Sequence, residues 1–92
     1  MTLPSATQIR LYLSAHYRER LPEGVSELRE DTDLLDSGVI DSFGILELVG
    51  SLEKHFALRI DLEGLPPEKL TVIGPLCTYI AAYAVPSPPV PA

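Results

Sequence analysis

Three stretches of this chain repeat apolar residues at helical spacing, and no stretch sustains the alternation of a half-buried strand. They cover residues 4–21, 41–56 and 74–84, and a shorter helical turn is predicted around residues 66–70. Elements of this kind bury their apolar stripes against one another. The sequence therefore predicts an all-α protein, a four-helix bundle with three main helices, one short helix and a long first loop.

The first helix carries a start signal, because Ser5 and Gln8 are spaced as a capping box. Pro22 and Gly24 are expected to end the element. Among the residues of its apolar stripe, the histidine is interpreted as lying at the edge of the core, since no metal partners accompany it. The stripe comprises Ile9, Tyr12, Leu13, His16 and Tyr17.

Residues 22–41 form a connection that is long for so small a protein, and such loops are often functional. Its acidic segment suggests a calcium-binding EF-hand loop, which has a ligand at position five, a glycine at position six and a glutamate at position twelve. Counted from Asp31, these positions hold Leu35, Asp36 and Ser42, so the segment does not fit the motif. A solvated acidic loop is therefore expected. Its apolar residues should pack on the domain: Leu28, Leu34, Leu35, Val39 and Ile40.

The second helix is predicted to start at Asp41 or Ser42 and to be amphipathic. Its core stripe comprises Ile45, Val49, Leu52 and Phe56, with Leu46 and Leu48 on the flanks. The opposite face collects Phe43, Glu47, Gly50 and Lys54. An exposed aromatic residue at the start of a polar face has no obvious role in the core, which points to an interaction with another molecule.

The last helix is predicted to start at Gly74, with Pro75 in the first turn, or alternatively at Thr71. Its apolar stripe comprises Leu76, Ile80 and Tyr83. Residues 85–92 contain four prolines and are expected to form an extended, unpacked tail. The predicted organisation is thus one domain over residues 1–84 followed by this tail.

Composition narrows the class of function. Ninety-two residues leave little room for an enzyme with separate substrate and cofactor pockets. The net charge of −6 disfavours nucleic acid and favours basic protein surfaces as partners. No apolar run approaches a membrane span and no signal peptide is visible. The single cysteine, Cys77, is interpreted as a small buried hydrophobe in a cytoplasmic protein.

Ser42 admits more than one interpretation. A serine hydrolase is improbable, because the G-x-S-x-G motif is absent and His55 lies at the far end of a helix about 22 Å long. Serine is also a preferred N-cap residue, as is Asp41. A cap explains one polar residue at this position, but it does not explain the exposed Phe43 beside it.

The stretch "LLDSGVIDSFGILELVGSLEKHF" resembles the recognition segment of the acyl and peptidyl carrier proteins. The resemblance extends over roughly residues 28–83 and includes the order of the helices. It looks closer to stand-alone carriers such as the D-alanyl carrier and to carriers of natural-product pathways. The helix carries Gly44 where many fatty-acid carriers have another acid.

This resemblance implies that Ser42 bears a 4′-phosphopantetheine arm from coenzyme A, with Asp41 as the preceding aspartate. It also implies a partner surface formed by Asp36, Phe43, Glu47 and Gly50. The implied partners are a phosphopantetheinyl transferase, an adenylating or acyl-loading enzyme, and downstream enzymes that use the cargo.

On this reading the chain is a monomeric carrier and not an enzyme, and its start methionine favours a free-standing protein. The alternative is a small helical docking module without a prosthetic group. Later acidic residues could either steer basic partners or keep the domain in solution: Asp61, Glu63 and Glu68.

Overall fold

The computed structural model describes residues 3–21, 23–25 and 27–87. The predicted all-α architecture, with three main helices and one short helical turn, is confirmed, and a very small sheet is added to it. The elements in chain order are α1 (Ala6–His16), a 3₁₀ turn (Arg18–Arg20), α2 (Gly44–Phe56), β1 (Leu58–Arg59), a second 3₁₀ turn (Pro67–Lys69), α3 (Ile73–Tyr83) and β2 (Val85–Pro86).

Helix α1 begins with the predicted capping box. The Gln8 amide donates to Ser5 Oγ at 3.1 Å, and the Ser5 amide donates to Gln8 Oε1 at 2.8 Å. The α-helix ends at His16 and the chain continues into a 3₁₀ turn, so its end does not depend on Pro22, which lies outside the described residues. The apolar stripe predicted for α1 is buried at Ile9, Leu13 and Tyr17. His16 is exposed, so its predicted position at the edge of the core is wrong.

Helix α3 packs against α1. It begins at Ile73, between the two predicted starts, and its buried stripe continues from Ile80 to Ala84. The prediction that Tyr83 lies in the core is therefore wrong: its side chain is 68% exposed and its ring lies against Tyr79. Among the described residues, the buried apolar ones are Ile9, Leu13, Tyr17, Leu28, Leu34, Val39, Ile40, Leu48, Leu52, Leu58, Ile73, Leu76, Cys77, Ile80 and Ala84.

The long first loop packs on the domain, as predicted for most of its apolar residues. Leu28, Leu34, Val39 and Ile40 are buried, but Leu35 is 45% exposed, so the prediction is wrong for that residue. The reason is local: the chain turns immediately after Leu34, and the turn directs the next side chain outward.

Backbone hydrogen bonds attach the loop to the start of α3. The Leu34 amide donates to the Thr71 carbonyl at 2.8 Å, and the Gly74 amide donates to the Glu30 carbonyl at 2.7 Å. A Cβ atom on residue 74 would lie 2.9 Å from that Glu30 oxygen. Gly74 is thus inside the helix rather than at its cap, and the absence of a side chain lets the loop approach closely.

Asp33 fixes the turn that follows. Its Oδ1 atom accepts hydrogen bonds from the amides of Leu35 and Asp36 and from the Thr71 hydroxyl, at 3.0, 3.1 and 2.8 Å. These donors, the Asp36 amide foremost, lower the pKa of the Asp33 carboxyl. Across the described ranges, no three His, Cys, Asp or Glu side chains form a group that could hold a metal ion.

The C-terminal segment returns along the end of α2. Strands β1 and β2 pair antiparallel, with Leu58 opposite Pro86, and the Ser87 amide donates to the Ala57 carbonyl at 2.9 Å. The expectation of an unpacked tail is therefore wrong for residues 85–87. Residues 88–92 lie outside the described residues. None of the described helices is long and apolar enough to cross a membrane.

Candidate functional site

The start of α2 is set by Asp41. Its Oδ1 atom accepts hydrogen bonds from the amides of Phe43 and Gly44, at 3.0 and 2.8 Å. The α-helix begins only at Gly44, later than the predicted start at Asp41 or Ser42, because this side chain holds the two preceding residues in a turn. Asp41 therefore supplies the cap, and the side chain of Ser42 is not needed for it.

Ser42 lies in this turn with its side chain exposed. Among the described residues, its hydroxyl has no hydrogen-bond partner. The two residues that precede Asp41, Val39 and Ile40, are both 3% exposed and anchor the chain in the core. The hydroxyl is thus presented outward from a fixed backbone, where another protein can reach it.

A shallow depression of about 680 Å³ adjoins the hydroxyl. It is lined by Arg20, Leu35 and residues 38–42. The depression brings the end of the first 3₁₀ turn next to the start of α2, although the two segments are far apart in the sequence. Asp36 is exposed in the same loop but does not line this depression.

The core face of α2 differs from the predicted stripe in two respects, because Leu48, predicted on the flank, lies at its centre and Leu46 lies outside it. Leu48 and Leu52 are fully buried, and Ile45, Val49 and Phe56 pack partly against the core. Leu46, predicted on the flank of the stripe, is 73% exposed. It lies three residues after Phe43 and therefore shares the outer face of the helix with it, away from the core.

Four residues form an exposed surface beside Ser42, here called the α2 patch: Phe43, Leu46, Glu47 and Gly50. Phe43 is 79% exposed, which confirms its predicted position on the outer face. The helical spacing of apolar residues did not predict that Leu46 belongs to this outer face. Its spacing from Phe43 contained the signal, since residues three apart on a helix are neighbours. Two adjacent large apolar side chains in solvent mark a surface for a partner.

The two glycines of α2 have different surroundings. A Cβ atom on residue 44 would lie 2.8 Å from Cβ of Ile40, which is buried, whereas nothing lies within 4 Å of the corresponding position on residue 50. Gly44 is therefore required by the close approach of the loop to the first turn of α2. Gly50 has no such requirement.

The same substitution is expected to have opposite effects at these two positions. Gly44→Ala should lower the free energy of unfolding by about 1–3 kcal/mol, because it overpacks a buried contact. Gly50→Ala should raise it by about 0.5–1 kcal/mol, because alanine favours the helix interior. Urea denaturation followed by circular dichroism measures both. Equal shifts of the same sign would contradict the contact between Gly44 and Ile40.

The histidines and the cysteine of the described residues are not placed for catalysis at Ser42. His16 and His55 both stack on Tyr12, with ring centroids 5.7 and 4.2 Å apart, and neither lines the depression. Cys77 is buried, as predicted, and burial raises the pKa of its thiol to about 12. Within the described part of the chain, Ser42 therefore has no histidine base beside it.

Comparison with known families agrees with this arrangement. Residues 12–80 match the family model described as "Phosphopantetheine attachment site", which is most of the chain. The chain belongs to this family of phosphopantetheine-bearing carrier proteins. The prosthetic group of this family is a covalently attached 4′-phosphopantetheine.

Among curated proteins, the chain is similar to D-alanyl carrier proteins of Streptococcus mutans and Streptococcus sanguinis. Each is 45% identical over 42 residues, which are 46% of this chain and 52% of the relative. The match thus spans about half the length of these relatives. No solved structure matches the chain. The resemblance to stand-alone carriers is confirmed by these findings.

The residues at the start of α2 fit the group that the family carries. Attachment needs an accessible hydroxyl on a rigid backbone, and Ser42 has no competing hydrogen bond to a described residue. The α2 patch lies immediately beside this hydroxyl.

Proposed function

We propose that Ser42 is the attachment site of the 4′-phosphopantetheine arm, and that the chain carries an acyl or aminoacyl thioester between biosynthetic enzymes. The observation that carries this proposal is the exposed Ser42 hydroxyl, without a hydrogen-bond partner in the described residues, at the start of α2. When bound, the arm supplies a thiol that holds the cargo as a thioester.

The residues around Ser42 have separate roles in this proposal. Asp41 holds the turn through the amides of Phe43 and Gly44, so that the serine Oγ projects into solvent. During loading, Oγ forms a bond to the β-phosphorus of coenzyme A, the bond between the two phosphates breaks, and the nucleotide leaves. The serine proton passes to a base of the transferase, which explains why this chain needs none of its own.

The α2 patch is proposed as the surface that successive enzymes contact. Phe43 and Leu46 supply apolar contact area, and Glu47 supplies a negative charge beside them. Asp36 adds a second negative charge on the loop before Ser42. Such a surface favours rapid encounter with basic patches on partner enzymes.

An amino acid activated by an adenylating ligase is the class of cargo that we favour. The similar streptococcal proteins are named as D-alanyl carriers, and their likeness to this chain lies within one shared segment. D-Alanine is therefore the first cargo to test. We further propose a monomer in the cytoplasm, with a carrier domain that extends through the paired residues 85–87 and is followed by the proline-rich sequence of residues 88–92.

The test is to incubate the purified chain with coenzyme A and a broad-specificity phosphopantetheinyl transferase, and to record the intact mass. We expect a gain of one phosphopantetheine, which proteolysis and mass spectrometry should locate on the peptide that contains Ser42. A chain that stays unmodified would overturn the proposal and favour the docking module without a prosthetic group. Modification at another residue would overturn the assignment to Ser42.

A further inference from the structure

Arg20 is held in a defined position at the end of the first 3₁₀ turn. Its Nη1 atom donates to the Val39 carbonyl at 3.2 Å, and its guanidinium carbon lies 5.7 Å from the centre of the Tyr17 ring. A guanidinium has five N–H donors, so the bond to Val39 leaves most of them available. The side chain is thus oriented by the protein while keeping its capacity to bind an anion.

Arg20 lines the same depression as Ser42. The ion pairs among the described residues are Arg10–Glu27 and Arg29–Asp31, and Arg20 takes part in neither. Arg20 thus has no carboxylate within ion-pair distance in the described chain, although Glu47 lines a second depression together with it.

Two of the amides at the start of α2 are not available to an anion. Helix N-termini attract phosphate groups through their unpaired amides. Here the amides of Phe43 and Gly44 already donate to the Asp41 carboxylate. A phosphodiester on Ser42 would therefore place a second negative charge beside Asp41, and a nearby cation would offset their repulsion.

We propose that the Arg20 guanidinium binds the phosphodiester oxygens of the arm on Ser42 and thereby orients the arm as it leaves the protein surface. The planar fork of arginine suits this task, because two parallel N–H donors match two phosphate oxygens. Arg20 is a positioning residue in this role and takes no part in attachment chemistry. The inference rests on the proposed attachment at Ser42.

The test uses the full chain, labelled with ¹⁵N and observed by NMR before and after loading with phosphopantetheine. The Arg20 Nε–Hε resonance is expected to shift on loading, whereas that of Arg18, in the same 3₁₀ turn, should stay in place. In the loaded protein, Arg20→Gln should move the ³¹P resonance of the phosphodiester toward that of the loaded chain unfolded in urea. Arg18→Gln is the matched control and should leave the ³¹P resonance unchanged.

The outcomes separate the two proposals. If loading occurs at Ser42 but the Arg20 resonance does not move, the role of Arg20 is overturned and the attachment site stands. A ³¹P resonance that is identical in Arg20→Gln and the original chain would also overturn it. Failure to load Ser42 at all would overturn both. The Nε–Hε measurement needs no substitution, so it remains decisive even if Arg20→Gln does not fold.

Discussion

Ser42→Ala is expected to abolish the attachment of phosphopantetheine while leaving the fold and its stability nearly unchanged. The substitution removes the only atom of this residue that can form the phosphodiester. Because the hydroxyl is exposed and has no hydrogen-bond partner in the described residues, its loss should change the free energy of unfolding by less than about 0.5 kcal/mol. Intact mass after treatment with the transferase, together with urea denaturation, measures both effects.

Ser37 provides the matched control for this experiment. It is another exposed serine of the same loop, and its hydroxyl donates to the Leu34 carbonyl at 3.3 Å. Ser37→Ala should therefore be loaded as completely as the original chain. Loading of Ser42→Ala, or loss of loading in Ser37→Ala with the fold intact, would contradict the assignment.

Leu34→Ala is expected to lower the free energy of unfolding by about 2–5 kcal/mol, whereas Leu35→Ala should have little effect. Leu34 is fully buried and Leu35 is 45% exposed, although the two are identical neighbours in the sequence. Truncating the first leaves a cavity beneath the loop, while truncating the second removes a side chain that is largely in water. A small domain has little stability in reserve, so Leu34→Ala should be partly unfolded at room temperature.

Urea denaturation followed by circular dichroism compares these two variants. The Leu34→Ala transition should move to much lower urea, and its loading by the transferase should fall with the folded fraction. Equal midpoints for the two variants would show that the loop between α1 and α2 is not packed as described.

Much of the fold could be predicted because its signals are local. The capping box of Ser5 and Gln8 lies within one turn, and the helical spacing in α2 extends over three turns. The sheet had no such signal, since β1 and β2 have only two residues each and are too short to show a period. The start of α2 also differs from the prediction. Asp41 accepts hydrogen bonds from the amides of Phe43 and Gly44, and the helix begins at Gly44; the spacing of apolar residues carries no signal of these bonds.

In the candidate site, too, some residues could be predicted from local signals in the sequence and others could not. Phe43 was predicted on the outer face from its helical spacing, and Ser42 was singled out by the resemblance to carrier proteins. The spacing places Leu46 only on the flank of the stripe, because an apolar residue at the edge of a short amphipathic helix can face either the core or the solvent. Arg20 could not be connected with Ser42 from sequence, because only the packed loop between them brings the two into one depression.

The pairing of β2 with β1 also determines the position of Ser87, the last described residue. The Ser87 amide is bonded to the carbonyl of Ala57, directly after the last residue of α2, whereas Ser42 precedes the first. Thirteen helical residues separate these two ends by roughly 20 Å. A fluorophore or immobilising surface attached at residue 87 would therefore be joined at the far end of α2 from Ser42, leaving the surface around Ser42 uncovered.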